Sequence, residues 1–233
     1  MPHLGRTLLL AGATSYAAAQ VLGRRGGSTH HERRAALPGD DVVGDPQLVT
    51  DHAITIDAPA RQIWPWLTQM GWHLGGYYSP GWVDRWLFPQ NWPSLEHLDP
   101  ALLRHLRVGD EIPDGEPGTA TYLVHQVQAP YVLVLRSTTH VPPGWDIKYG
   151  ASLTWTWCFA LFDQADGRCR VHLRVRGRLA PWWFTALYAA AVVPADAVMA
   201  TGMLRGLKRR VEADPVPQLS GRHPFAGRAA PAA

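Results

Sequence analysis

Few side chains in this 233-residue chain stand in a pattern that chemistry requires. The most suggestive stretch is THVPPGWDIKYG at 139–150. There His140 and Asp146 could act as a general acid and base if folding brought them together. Spacing alone gives no reason for them to converge, and the turn-rich composition suits a mouth loop that also carries Trp145 and Tyr149. His97 and His105 are eight residues apart, a spacing that allows one helical face, but no third ligand lies near and no metal site is expected. A Gly-rich phosphate loop, a Ser nucleophile elbow and a dinucleotide fingerprint are all missing, so no cofactor is expected. Asp84, Glu96 and Asp110 read as surface or turn groups. Only Cys158 and Cys169 carry thiols, which excludes a disulfide-stapled scaffold and a paired-thiolate zinc centre.

Those cysteines lie on the two most informative strands. In 152–162 the odd positions carry Leu153, Trp155, Trp157, Phe159 and Leu161, and the even positions carry small or polar residues. In 168–178 one face holds Cys169, Val171, Leu173, Val175 and Gly177, and the other holds Arg168, Arg170, His172, Arg174, Arg176 and Arg178. Opposed residues of an antiparallel pair share a face. Matching apolar with apolar sets Trp157 across from Leu173 or Val175, with Cys158 among the arginines and Cys169 in the core, where the two cannot bridge. The arginine row reads as a solvated outer face; a cationic stripe for anionic headgroups is the sharper alternative.

Other elements must position these strands. Residues 48–57 alternate as a strand, and Asp57-Ala58-Pro59 opens a helix whose stripe is Ile63, Trp66, Leu67 and Met70, closed by Gly71. Pro65 within that stripe predicts a kink or break. Residues 71–107 read as loops and short helices rich in aromatics, among them Tyr77, Tyr78, Trp82, Trp86 and Trp92. Strands follow at 120–128 and 131–137, with a short one at 108–112, and 163–168 forms a turn. His125 falls on the face of Leu123 and Val127. The last helix is placed at 194–213, with Met199, Met203, Leu207 and Val211 at four-residue steps; Trp182, Trp183 and Phe184 lie in a helix or turn before it. Strands grouped ahead of a long helix predict an α+β fold, a curved antiparallel sheet wrapped around that helix.

Composition sets the frame. At 46% apolar and 18% charged residues the chain is not disordered throughout, and its net charge of +3 permits anionic surfaces without requiring them. Residues 1–22 form an apolar helix that suits a cleaved signal, an anchor or a packed terminal helix. Residues 23–47 read as a linker, 48–213 as the domain and 214–233 as a disordered tail. The stretch 179–204 holds a single charge, Asp196, and is long enough for a membrane span, but Pro194 and Asp196 argue against a simple one. It could also rest in a membrane interface.

The segments AITIDAPARQIWPWLTQMG (53–71) and GGYYSPGWVDRWL (75–87) resemble actinobacterial members of the SRPBCC superfamily, START-like and polyketide cyclase/dehydrase-like proteins. LPGDD (37–41), VGDEIP (108–113), WTWCFAL (155–161) and MLRGLKRRVE (203–212) add to the resemblance, which spans about 37–213. It implies a helix-grip fold with a deep apolar cavity between sheet and C-terminal helix. It also implies binding of lipids, sterols, polyketides or hormones, with cyclisation or dehydration in a minority of members. It supplies no shared catalytic motif.

The expected pocket draws on Trp66, Tyr77, Tyr78, Trp82, Trp86, His125, Trp145, Trp155, Trp157, Phe159, Met199 and Met203. Much of the excess of 11 Trp would then wall one cavity. The partner is an apolar small molecule (lipid, polyketide-like or isoprenoid), a membrane surface is a further candidate, and nucleic acid is not expected. A cyclase or dehydratase using the same cavity, and a membrane-associated structural protein with a filled core, are the alternatives. Cytoplasmic, membrane-associated and exported locations stay open, as does the oligomeric state.

Overall fold

The computed structural model describes residues 2–87 and 93–213. The elements are α1 (Pro2–Arg25), α2 (His30–Arg34), β1 (Leu48–Ile56), α3 (Ala60–Thr68), α4 (Gly81–Leu87) and β2 (Glu111–Pro113). They continue with β3 (Thr121–Gln128), β4 (Val132–Ser137), α5 (Trp145–Tyr149), β5 (Ser152–Asp163), β6 (Cys169–Ala180), α6 (Trp182–Asp196) and α7 (Met199–Ala213). The tail at 214–233, Trp92 and the Trp86 side chain lie outside the described residues.

All six strands form one curved antiparallel sheet in the order β1-β6-β5-β4-β3-β2, and the fold is α+β. Period-two alternation sets its register. Trp157 pairs with Val175 and Phe159 with Leu173, so the large apolar residues of β5 and β6 share one face. Cys158 pairs with Arg174 on the other face, Cys169 pairs with Asp163, and both thiols are free and buried. Burial pushes each thiol up to about 12, which leaves both poor nucleophiles.

The core lies between the apolar face, α3 and α7. Ile63, Trp66 and Leu67 of α3 meet Met203, Leu204, Leu207 and Val211 of α7 in a single buried cluster. α3 runs through Pro65 without ending there, so the expected break does not occur. The C-terminal helix is also longer than the expected 194–213. It begins at Trp182 and divides after Asp196, with Pro194 inside α6. Gly202 and Gly206 let α7 close onto the 78–80 loop, where added Cβ atoms would lie 2.6 Å from Pro80 and 1.9 Å from the Tyr78 carbonyl oxygen.

The middle of the arginine row is not solvated, whereas Arg168 and Arg178 at its ends are exposed. Arg174 is 3% exposed, because residues 28–45 lie across it. Asp51 accepts from Arg174 Nε and from His172 Nε2, both at 2.8 Å. Arg174 further donates to Asp40 at 2.8 Å and to the carbonyls of Glu32, Arg33 and Ala35. Arg170 pairs with Glu32 at 2.7 Å, and that bond lowers the Glu32 carboxyl to about 2. Thr29 and Glu32 close a capping box on α2. The glycines and charges that give 23–47 the composition of a linker instead supply the carbonyls and carboxylates that five-donor guanidiniums require.

Candidate functional site

A cavity of about 1310 Å³ lies between the apolar sheet face, the α6–α7 junction and the loops at 72–79, 114–120 and 138–146. Its floor is Trp155 and Trp157 of β5, with Leu173 and Val175 of β6. Trp155 stands across from Gly177 and Trp157 across from Val175, so neither indole meets a partner of its own size on β6. The opposite wall is Ala191, Ala195 and Ala200 with Met199 and Met203, small or flexible residues that leave the space between helix and sheet unfilled.

One wall is a chain of rings. Tyr77 meets Trp157 edge-on at 6.1 Å, Trp157 meets Tyr122 at 5.0 Å, and Tyr122 meets His140 at 4.6 Å. His140 lies 4.9 Å from Trp155, which meets Tyr188 of α6 at 6.0 Å. Such offset and edge geometries hold rings in fixed orientations.

The polar groups form two clusters. In the first, His140 Nε2 lies 2.8 Å from the Asp114 carboxylate, and His140 Nδ1 lies 2.6 Å from Ser137 Oγ. Both imidazole nitrogens are therefore engaged, and Asp114 is the member of the pair with greater exposure, at 26% against 10%. Tyr77 Oη donates to the Pro113 carbonyl at 3.0 Å, and Tyr188 Oη donates to the His140 carbonyl at 3.0 Å. The second is Asp196, whose only hydrogen-bond donor among the described residues is Thr50 Oγ1 at 3.4 Å. Burial raises the Asp196 carboxyl to about 7. Burial also pushes the Tyr77 and Tyr122 phenols well above their ordinary range, with Asp114 adding to both.

The cavity brings together five of the twelve residues expected to line it: Tyr77, Trp155, Trp157, Met199 and Met203. Trp66, Tyr78 and Phe159 are in the packed core instead. Tyr78 Oη donates to the Trp66 carbonyl at 2.6 Å, and the two rings pack edge-on at 5.7 Å. Trp82 points outward on α4 at 53% exposure. His125 follows the buried Val124 at a bulge between Val124 and Gln126 and is exposed, away from the cavity lining. Trp145 packs with Trp183 and Phe184 in a separate apolar cluster, while its neighbours Gly144 and Asp146 reach the cavity. His140 pairs with Asp114 and not with Asp146. Tyr122, Asp114, Tyr188 and Asp196 were not expected here. Tyr122 was the most accessible to sequence reasoning, since it alternates with the buried Val124 on β3.

No family model and no curated protein matches the chain. Among solved structures it is similar to norcoclaurine synthase from Thalictrum flavum, at 13% identity over 70% of this chain and 92% of that one, with a TM-score of 0.41. A protein from Mesorhizobium loti, MLL2253, is 14% identical over 72% of this chain and all 100% of its own, with a TM-score of 0.42. A protein from Arthrobacter aurescens is 15% identical over 76% of this chain and 94% of that one, at 0.40. Strand order, register and the C-terminal helix across the concave face define this chain as an α+β protein of the helix-grip type.

Proposed function

We propose that the chain is a ligand-binding protein of the SRPBCC kind that takes an apolar small molecule into the space between sheet and C-terminal helix. The observation that carries this reading is the cavity of about 1310 Å³ walled by Trp155, Trp157, Met199 and Met203. A core this close to two indoles would ordinarily be filled, since protein interiors pack with few voids larger than a water molecule. Native mass spectrometry of the purified protein, before and after incubation with a panel of apolar compounds, tests the reading. Bound mass in the cavity range supports it, and repeated failure to carry or accept any apolar compound overturns it.

A second reading is proton-transfer chemistry in the same cavity. Asp114, held by His140, and Asp196, raised to about 7, both line the wall, and carboxyl groups in contrasting environments suit base and acid roles. Exchange of the acetyl protons of 2-acetylphenanthrene in heavy water, followed by NMR, tests it: acceleration lost in Asp114→Asn supports it, and no acceleration sinks it.

A membrane surface is proposed as the place where loading occurs. Leu10 and Leu22 of α1 and Trp182 and Leu187 of α6 are exposed at 68%, 56%, 79% and 45%. Arg24 and Arg25 close the last turn of α1. Flotation with anionic phosphatidylglycerol vesicles that is weakened by Trp182→Ser supports this; absence of flotation removes it.

A further inference from the structure

One end of the molecule gathers its most exposed apolar side chains. The register pairs Ser152 with Ala180, Ser137 with Trp155 and Thr121 with Pro113. The 114–120 loop, the 138–151 segment with α5 and the turn into α6 therefore all leave the sheet at the same end. There Ile147 of α5 is 89% exposed and Trp182 of α6 is 79% exposed, with Tyr149 about half exposed. Trp183 packs against Trp145 at 5.8 Å and against Tyr149 at 5.7 Å, which holds α5 beside the start of α6. Trp145 and Trp183 in turn rest on the buried Leu153, Leu179 and Phe184, so Ile147 and Trp182 are presented from a packed base. One exposed apolar side chain is ordinary; a group of them marks an interaction surface.

α1 reaches the same end. Gly23 stands against Val193, and Tyr16 Oη meets the Ala190 carbonyl, so α1 and α6 run in the same direction. Counted back from those contacts at 1.5 Å per residue, the first turns of α1 extend about 10 Å past Trp182. The cavity opens here too, since Gly118, Thr119, Pro143, Gly144 and Asp146 line it and are themselves exposed.

Charge and composition decide what covers this end. Its loops carry Asp114, Glu116 and Asp146 against Lys148, whose ammonium lies over the Tyr149 ring at 4.9 Å. Arg178 beside them pairs with Asp45 at 3.5 Å, and Arg6 of α1 adds a cation. With carboxylates balancing the cations, the surface has no pull on an anionic layer. Arg24 and Arg25 sit at the far end of α1. Trp and Tyr rings with a Lys stem around an exposed aliphatic side chain suit the boundary between headgroups and acyl chains. The opposite end of the sheet differs: it carries the pairs Asp166–Arg168 and Lys208–Glu212, and its half-exposed Tyr131 and Phe162 flank Asp163.

We infer that this end docks on a neutral lipid leaflet, with Ile147, Trp182 and the first turns of α1 inserted, so that the cavity mouth opens onto the bilayer. The inference rests on the membrane reading above and deepens it. Contact is end-on, driven by apolar insertion, and an apolar ligand passes from leaflet to cavity without crossing water.

Single introduced cysteines test it on the full chain, because Cys158 and Cys169 are buried and leave the new thiol as the reactive one. Ile147→Cys, Leu22→Cys and Arg168→Cys each carry a polarity-sensitive dye and are mixed with phosphatidylcholine vesicles. The dye at 147 is expected to shift to the blue and to be quenched by brominated phosphatidylcholine, while the dyes at 22 and 168 stay unchanged. In flotation without dye, Ile147→Asp should weaken binding about tenfold and Ile147→Leu by less than about threefold, as loss or retention of one inserted aliphatic side chain would give. An unchanged urea midpoint shows that Ile147→Asp folds. A response at 22 without one at 147, or binding that requires phosphatidylglycerol in the vesicles, overturns the inference. Vesicle binding indifferent to Ile147→Asp also overturns it and leaves the membrane reading standing. A dimer in sedimentation that Ile147→Asp dissolves, without vesicle binding by the wild type, assigns the surface to a second copy and overturns both. Absence of binding to either kind of vesicle removes the membrane reading together with the inference.

Discussion

Tyr16 Oη donates to the Ala190 carbonyl at 2.9 Å, and that carbonyl is the one Pro194, four residues on, cannot serve. α1 thus completes the backbone bonding of α6. Gln20 Nε2 adds a bond to the Ala189 carbonyl at 2.8 Å. Gly23 permits the close approach, since a Cβ there would lie 1.8 Å from the Val193 carbonyl oxygen. Replacing Gly23 by Leu should therefore detach α1 and make residues before Arg25 sensitive to limited proteolysis, with the domain still folded. Tyr16→Phe should have the milder effect, about 1 kcal/mol or less for one half-exposed hydrogen bond. Unchanged proteolysis in Gly23→Leu would count against α1 as a packed helix.

Asp51 and Arg174 form a buried pair at 2.8 Å under the α2 segment. Removing one member leaves the other charged and desolvated. Asp51→Ala is expected to cost about 3–5 kcal/mol in urea unfolding and to expose 28–45 to proteases. Arg174→Met removes the charge while keeping much of the volume, yet leaves three carbonyls and Asp40 without their shared donor, so it should also free that segment.

Trp157 and Phe159 share one face of β5 but differ in surroundings. Phe159 is 1% exposed within the packed core, and Phe159→Ala should cost about 3–5 kcal/mol. Trp157 already borders open space, so Trp157→Ala should cost about 1–2 kcal/mol, because its removal enlarges an existing cavity instead of creating one. Equal costs at the two positions would mean the cavity is filled in solution by the protein itself.

Asp196 makes stability depend on pH with an unusual sign. Its carboxyl titrates at about 7 when folded against an ordinary 3.8. Between those values the unfolded chain gives up a proton that the folded chain keeps, so stability falls as pH rises through the window and is flat above it. His52, lowered by burial to about 4 from 6.5, acts in the opposite direction, losing stability as pH falls through that range. The difference between the wild type and Asp196→Asn isolates the carboxyl. The variant should match the wild type near pH 4 and exceed it near pH 8 by on the order of 2 kcal/mol, a value reduced for a group that borders a cavity.

Much of the fold was legible because strands announce themselves by alternation. The faces of 152–162 and 168–178, the opposition of Trp157 to Val175 and the separation of Cys158 from Cys169 all follow from a period of two. Helix positions were less secure. The apolar run from Trp182 onward shows no single stripe, so the division after Asp196 left no clear mark in it, and Pro194 looked like a boundary although Tyr16 allows it inside a helix.

The sequence by itself determined the class of this protein: an aromatic, mixed α+β chain without a metal, phosphate or nucleophile motif, whose strands must curl over an apolar helix. Tertiary structure decided which aromatics face open space and which are packed. Trp66, Tyr78 and Phe159 have the same residue chemistry as Trp155 and Trp157, but they are fully packed within the core, whereas Trp155 and Trp157 are only partly buried and line the cavity with the small residues of the α6–α7 junction. It also decided that Asp114, 26 positions before His140, is its partner, and that the middle of the arginine row, Arg170 to Arg176, is covered. Local pattern reports which side of an element a residue occupies. What stands opposite that side depends on contacts distant in sequence, and those here set the cavity.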